Sequence, residues 1–248
     1  MKLHSFTRLY LALLVFTLAA CEIPESGVPT PILEPIKSFS VSEIPACRTG
    51  YTKGSPKKSP TPDVFLITLF EFVKSSCSND TLFGTNSETR DAFSYLRAEL
   101  GLEATSSRAY RCAAMFELVR ASGAFESDYR WQQGRDKSAS NYDFYTMESG
   151  LFQTSPNSHY YAHKGYGRWA YLDKLVAEHG VGIVKQGSPE NEKWNVLMKD
   201  ETKKHVIIEH HVFMLRHNYR HYGPIIDKAK RVGVNLNKQC IAEVLKLL

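Results

Sequence analysis

Two glutamates set among aromatic residues and glycines carry the chemistry this sequence has to offer. Glu126 follows an apolar run, Cys112 to Val119, whose helical spacing predicts a helix that Ser122 and Gly123 end just before the pair Glu126-Ser127. A carboxyl at a helix exit is held by a rigid element and can still face a cleft. Phe125, Tyr129 and Trp131 beside it would desolvate it and raise its pKa, which is how a general acid is made. Further on, Glu148 opens the run Ser149-Gly150-Leu151-Phe152-Gln153, with Asp143 shortly before it. A second carboxyl near the first is what cleavage of a glycosidic bond asks for; Glu148 is the first choice for that role and Asp143 competes with it. Each acid also has a plain structural reading: a helix-end carboxylate for Glu126, a surface or helix-start carboxylate for the other two.

Glu126-Ser127, followed at this distance by Gly150-Leu151-Phe152-Gln153, resembles the Glu-Ser and Gly-Leu-Met-Gln motifs of lytic transglycosylases and goose-type lysozymes. The resemblance covers roughly residues 105 to 225, with Phe152 where the family commonly has Met and a longer aromatic insert between the motifs. It implies an α+β, predominantly α-helical, lysozyme-like fold with a small β-hairpin or irregular lobe, expected over Asp128 to Tyr145. It also implies Glu126 as the catalytic acid and Gln153 lining the sugar cleft, where a turn residue bonded to backbone is the equal alternative. In lytic transglycosylases a late Tyr-Asn-x-Gly segment returns a tyrosine towards the acid. Tyr222, directly before Gly223, or Tyr219 matches it in altered order, and a packing tyrosine is the alternative.

The elements that must position these residues follow from periodicity. Asp63 to Ser76 reads as a helix with Phe65, Leu66, Leu69, Phe70 and Val73 on its core face. Thr85-x-x-Glu88 resembles a capping box ahead of Ala92, Phe93, Leu96 and Leu100, with Gly101 as the stop. In the third helix Tyr110, Ala113, Ala114, Phe116, Leu118 and Val119 form the apolar set, and Glu117 interrupts it and is expected to face solvent. Residues 154 to 158 are expected to loop around Pro156. Helices follow over Arg168 to His179, Pro189 to Asp200, Thr202 to His221 and Asn235 to Leu248, the last covering the core.

Residues 1–20 carry Lys2 and Arg8 ahead of the apolar run Leu9 to Leu18, the pattern of an export signal. Leu18-Ala19-Ala20-Cys21 resembles the lipobox of bacterial lipoproteins, which makes Cys21 a lipidation site and membrane tether. Residues 21–62, with eight prolines, read as a flexible spacer that lets a domain over 63–248 reach a layer lying off the membrane. The formal charge is +5, and +3 once Lys2 and Arg8 leave with the signal. That suits an anionic polymer such as cell wall and falls short of the basic face of a nucleic-acid binder.

Cys47, Cys77, Cys112 and Cys240 are spaced too widely for a Cys-x-x-Cys metal site. Export makes disulfides plausible, with three connectivities open. Cys47–Cys77 would pin the spacer to the first helix and Cys112–Cys240 would staple the C-terminal helix, while Cys112 on an apolar face also suits a buried thiol. His205, Glu209, His210 and His211 miss the spacing of zinc-protease helices, so no metal and no organic cofactor is implied. The reading that follows is a monomeric, lipid-anchored envelope protein that cleaves the glycan strand of peptidoglycan, as muramidase or lytic transglycosylase. The alternative is a non-catalytic lipoprotein that binds the same polymer.

Overall fold

The structure, a computed structural model, describes residues 39–49, 60–85, 91–103, 105–134, 143–162, 170–217 and 236–248. Of these, 62% are helical and 1% strand, so the chain is predominantly α-helical. The β component among the described residues is one antiparallel bridge, Ser149 to Thr154. The hairpin expected over Asp128 to Tyr145 falls partly outside the described residues, and its described flanks are turns.

Ten helices are described: α1 (Asp63–Ser76), α2 (Asp80–Phe83), α3 (Ala92–Tyr95), α4 (Arg97–Leu100), α5 (Arg108–Ser127), α6 (Pro156–Ala162), α7 (Ala170–Ala177), α8 (Glu190–Leu197), α9 (Lys204–His217) and α10 (Lys238–Leu245). Short 3-10 turns stand at Val41–Glu43, Pro45–Arg48 and Glu201–Lys203. α5 is the axis, with α1, α2, α9 and α10 packed around it. It is buried without interruption from Cys112 to Gly123, the signature of a helix surrounded by protein instead of one laid on a surface.

Central placement of α5 overturns the solvent-facing reading of Glu117. Its side chain is wholly buried and paired with the equally buried Arg120, Nε to Oε2 at 2.8 Å and Nη2 to Oε1 at 3.1 Å. Arg120 Nη1 also donates to the carbonyls of Cys47 (2.9 Å) and Thr49 (2.6 Å) and to Thr61 Oγ1 (3.0 Å). The Asn237 amide donates to Glu117 Oε1 at 2.6 Å. Burial pushes the Glu117 carboxyl up, against the pull of Arg120. On an all-round buried helix an acid that breaks the apolar stripe faces another chain segment, not water.

Residues 39–49, at the end of the proline-rich stretch, are part of the packed unit that runs from Phe39 to Leu248. Val41, Ile44 and Cys47 enter the core, and Phe39 stacks on Phe70 with ring centroids 4.0 Å apart. The illustrated connectivity, Cys47–Cys77 with Cys112–Cys240, gives way to another of the three, and Cys112 is not a free thiol: Cys47 joins Cys240 and Cys77 joins Cys112. Asn237 Nδ2 donates to the Ala46 carbonyl (2.8 Å) and the Ala46 amide to Glu243 (2.9 Å), so residues 39–49 and α10 form a clip across α5.

Other boundaries shift for local reasons. α3 is capped by Asp91, whose carboxylate accepts from the Ser94 amide at 2.8 Å, while Glu88 of the expected capping box lies outside the described residues. Gly101 ends α4 with φ 67°, as expected of a left-handed helix stop. Pro156 opens α6 in place of the expected loop, because proline at the first helical position forfeits an amide bond that would be unmade anyway. α1 matches its expected span, Asp63–Ser76.

Candidate active site

Glu126 is half-buried in the last turn of α5, not beyond the helix exit. Gly123 does not stop the helix; it gives room to an aromatic ring. A Cβ there would lie 3.2 Å from Tyr129 Cδ1 and 3.4 Å from Phe65 Cζ. The stop comes at Asp128 and Tyr129, both left-handed (φ 55° and 62°), whose amides return to the Ala124 carbonyl (3.2 Å) and the Gly123 carbonyl (3.0 Å). Ser127, the second residue of the motif, is spent on this exit. Its Oγ accepts from the Arg130 amide (3.1 Å) and its carbonyl from Arg130 Nε (2.8 Å).

The aromatic residues around Glu126 are core. Phe125, Tyr129 and Trp131 are buried, and Phe65 packs on the Tyr129 and Trp131 rings at 5.1 and 6.0 Å between centroids. Tyr129 reaches through the core to Thr61, oxygen to oxygen 2.9 Å. Lys204 Nζ stands 5.3 Å from the Trp131 ring centre, a cation–π distance.

The second motif forms a closed turn. Ser149 and Thr154 exchange backbone hydrogen bonds (2.8 and 3.3 Å) across Gly150-Leu151-Phe152-Gln153. Gly150 is required twice over: φ is 73°, and a Cβ would come 1.9 Å from the Met198 carbonyl oxygen. Its amide donates to the Gln133 carbonyl at 2.8 Å, tying the turn to the segment that leaves α5. Leu151 and Phe152 are buried in the cluster that holds Phe125 and Tyr129, and Phe152 stacks on His211 at 3.8 Å. The second motif is thus hydrogen-bonded to the segment that follows the first, and its Leu151 and Phe152 share a core with Phe125.

Glu148 is half-buried directly before this turn. Gln153, at φ 45°, folds its side-chain amide onto the Gly150 carbonyl (2.9 Å), the turn role set out as its alternative. Asp143 is exposed and caps its own turn, accepting from the Thr146 amide and hydroxyl at 2.8 Å each. Those bonds hold its carboxyl below the usual range. Tyr219, Tyr222 and Cys21 lie outside the described residues.

Sequence reasoning missed the support behind the turn. The Ser149 hydroxyl bonds to Asn195 Oδ1, and Asn195 Nδ2 donates to the carbonyls of Asn191 (2.7 Å) and Phe144 (2.9 Å). Nothing in the α8 sequence flags a buried asparagine that spans 46 residues to reach the motif. The histidines of α9 miss a zinc-helix spacing in sequence, and His210 and His211 are buried packing residues. In the fold His210 Nε2 and His159 Nδ1 are 3.2 Å apart, and His159 Nε2 meets Asp173 at 3.0 Å. Among the described residues no three His, Cys, Asp or Glu side chains gather into a metal-holding group.

Two cavities bounded by described residues lie away from this site. One, of about 530 Å³, runs between the α7 exit and α8; the other, of about 230 Å³, lies where α3, α4 and the first turn of α5 meet the last turn of α9. No described helix is long and apolar enough to cross a membrane. Comparison of the chain with protein-family models, curated proteins and solved structures gives no match. What the fold defines is a disulfide-bonded, predominantly helical protein built around one buried helix whose last turn carries Glu126.

Proposed function

We propose that the chain is a lysozyme-like enzyme of the bacterial envelope, anchored through a lipid on Cys21, that cleaves the glycan strand of peptidoglycan with Glu126 as general acid. One observation carries the reading. The Glu-Ser pair closes the central helix, and the Gly-Leu-Phe-Gln run forms a glycine-dependent turn bonded to the segment leaving that helix. A general acid needs a rigid mount, and the last turn of α5 is one.

In the reaction, Glu126 gives its proton to the glycosidic oxygen as the bond to the muramyl residue opens. Glu148, half-buried just before the turn, is the first choice of carboxylate to steady the cationic centre or a water, with Asp143 the competitor. Attack by water gives a reducing end; attack by the muramyl 6-hydroxyl gives an anhydro sugar. The partner is the polymer itself, met by a tethered monomer, with neither metal, organic cofactor nor nucleic acid in the scheme.

The test is digestion of purified sacculi by wild type and Glu126→Gln, with mass spectrometry of released muropeptides. Wild type should release fragments, and the masses distinguish reducing from anhydro ends. Glu126→Gln should lose activity by a factor of about 100 or more, the scale of a general acid, while still sedimenting with sacculi. Unchanged release by Glu126→Gln would overturn the assignment of the acid; no release by either protein, with binding retained, would favour a non-catalytic peptidoglycan-binding lipoprotein.

A further inference from the structure

We propose that the pocket between α3, α4, the first turn of α5 and the last turn of α9 binds the carboxylate group of a small ligand, independently of the reaction above. The pocket holds about 230 Å³ and is lined by Arg97, Arg111 and Arg216 together with Asp91, Glu103 and Phe93 among others. At about 30 Å³ per water in the liquid, that is room for a carboxylate on a short arm and not for a polymer.

The charges on its wall are not equivalent. Arg216 and Asp91 are both buried and form an ion pair, Nε to Oδ2 at 2.9 Å. Arg216 Nη2 also donates to the Gly84 carbonyl (2.8 Å), and its guanidinium stacks on Phe93 at 4.3 Å. The other oxygen of Asp91 takes the Ser94 amide and hydroxyl, at 2.8 and 2.6 Å. That pair is a neutral inner wall.

Arg111 is different. It is held by two carbonyls, Phe83 from Nε (2.8 Å) and Ser106 from Nη1 (2.6 Å), so its position is fixed without a carboxylate. Burial and the like charge of Arg108 both disfavour its charged form, against the weaker pull of Asp80, to which Arg108 is bonded. A guanidinium mounted on neutral acceptors, with Arg97 exposed beside it, is a preorganised receptor for a planar anion.

Beyond the Arg216–Asp91 pair the lining carries Arg97 and Arg111 against Glu103, a net +1, which matches one carboxylate better than a phosphate dianion. Arg111 and Glu126 sit near opposite ends of α5. Fifteen residues at 1.5 Å each separate them by roughly 22 Å, so a ligand here would not touch the proposed acid.

The test is NMR of the arginine Nε–H resonances of the folded chain, titrated with N-acetylglycine, with inorganic phosphate, and with sodium chloride at matched ionic strength. N-acetylglycine should shift the Arg111 signal saturably, and phosphate should bind more weakly. Arg97→Gln and Arg111→Gln should each weaken binding by about tenfold, the scale of one charge-assisted bond. Arg97 is exposed, so its variant keeps the fold, which the dispersion of the amide spectrum verifies. The proposal is overturned if no probe shifts Arg111 beyond the chloride control, or if Arg97→Gln binds as well as wild type. Tighter binding of phosphate overturns the carboxylate assignment. Binding that appears only in Glu88→Gln also overturns it, since the arginines would then serve a carboxylate of the chain itself.

Discussion

The 149–154 turn and the clip that fastens residues 39–49 and α10 to α5 hold their backbones over different lengths of chain. In the turn, Ser149 pairs with Thr154, Gln153 returns to Gly150, and a left-handed glycine permits the bend. In the clip, Arg120 reaches 59 to 73 residues back to Thr61, Thr49 and Cys47, Asn237 reaches 120 residues back to Glu117, and the Cys47–Cys240 bond spans 193. Local pairing costs little loop-closure entropy and leaves a readable residue pattern. Long-range pairing closes most of the chain on itself and needs partners that carry no local signature.

Removing the clip's covalent link should therefore have the largest effect. The chain-entropy relation for a loop of this length gives about 5 kcal/mol for loss of Cys47–Cys240. Cys47→Ser combined with Cys240→Ser should lower the urea midpoint accordingly, with Cys77–Cys112 intact. A loss below about 1 kcal/mol would mean that the ion pair and packing hold the clip unaided.

Next comes Glu117→Ala, which strands the buried Arg120 charge. The expected cost is about 3 to 5 kcal/mol, whereas replacing both Glu117 and Arg120 by leucine and methionine should cost much less, since the desolvated charges leave together. Equal losses from the single and double changes would show that packing volume, not charge, is what this part of α5 supplies.

The turn's counterpart is Gly150→Ala. Alanine at φ 73° costs about 1 kcal/mol, and its overlap with the Met198 carbonyl adds roughly 1 to 3 more. Thermal unfolding should show that loss, and Gln153→Ala, which removes a single bond within the same turn, should show about 1 kcal/mol or less.

The same contrast explains what could be read before the fold was known. The span of α1 and the glycine stop after α4 are local matters, and the sequence expectations meet the structure at each. Glu117 was misassigned because periodicity on one helix reports a hydrophobic stripe but cannot tell a solvent face from a face covered by α10. Gly123 read as a stop for a similar reason: a glycine that makes room for Tyr129 looks in sequence like one that breaks a helix. Asn195, which holds Ser149, had no legible partner until α8 was folded against the turn. Of the candidate acids, Asp143 has a turn-capping role that came from a pairing with Thr146 which the aromatic surroundings obscured.

Tyr129 ties the clip to the end of α5, and its effect should be the smallest. Its hydroxyl bonds to Thr61, which also accepts from Arg120, while its ring seals the end of α5 over Gly123. Tyr129→Phe keeps the ring and removes one buried hydrogen bond, so near neutral pH it should cost about 1 kcal/mol. Burial raises the Tyr129 phenol above its ordinary value, with Arg120 pulling the other way. With the pKa raised in the folded state, the stabilisation is fully present below the unfolded value of about 10 and is lost as pH rises through the folded one. The Tyr171 phenol is raised too, by burial and then by its bond to Glu209, so the wild type should lose stability in alkali for two reasons. Urea titrations from neutral pH to about pH 11 should then show the Tyr129→Phe deficit shrinking as pH rises above about 10. Parallel curves would mean that Tyr129 ionises as freely in the fold as out of it, and that the link from Arg120 through Thr61 to the end of the Glu126 helix is open to water.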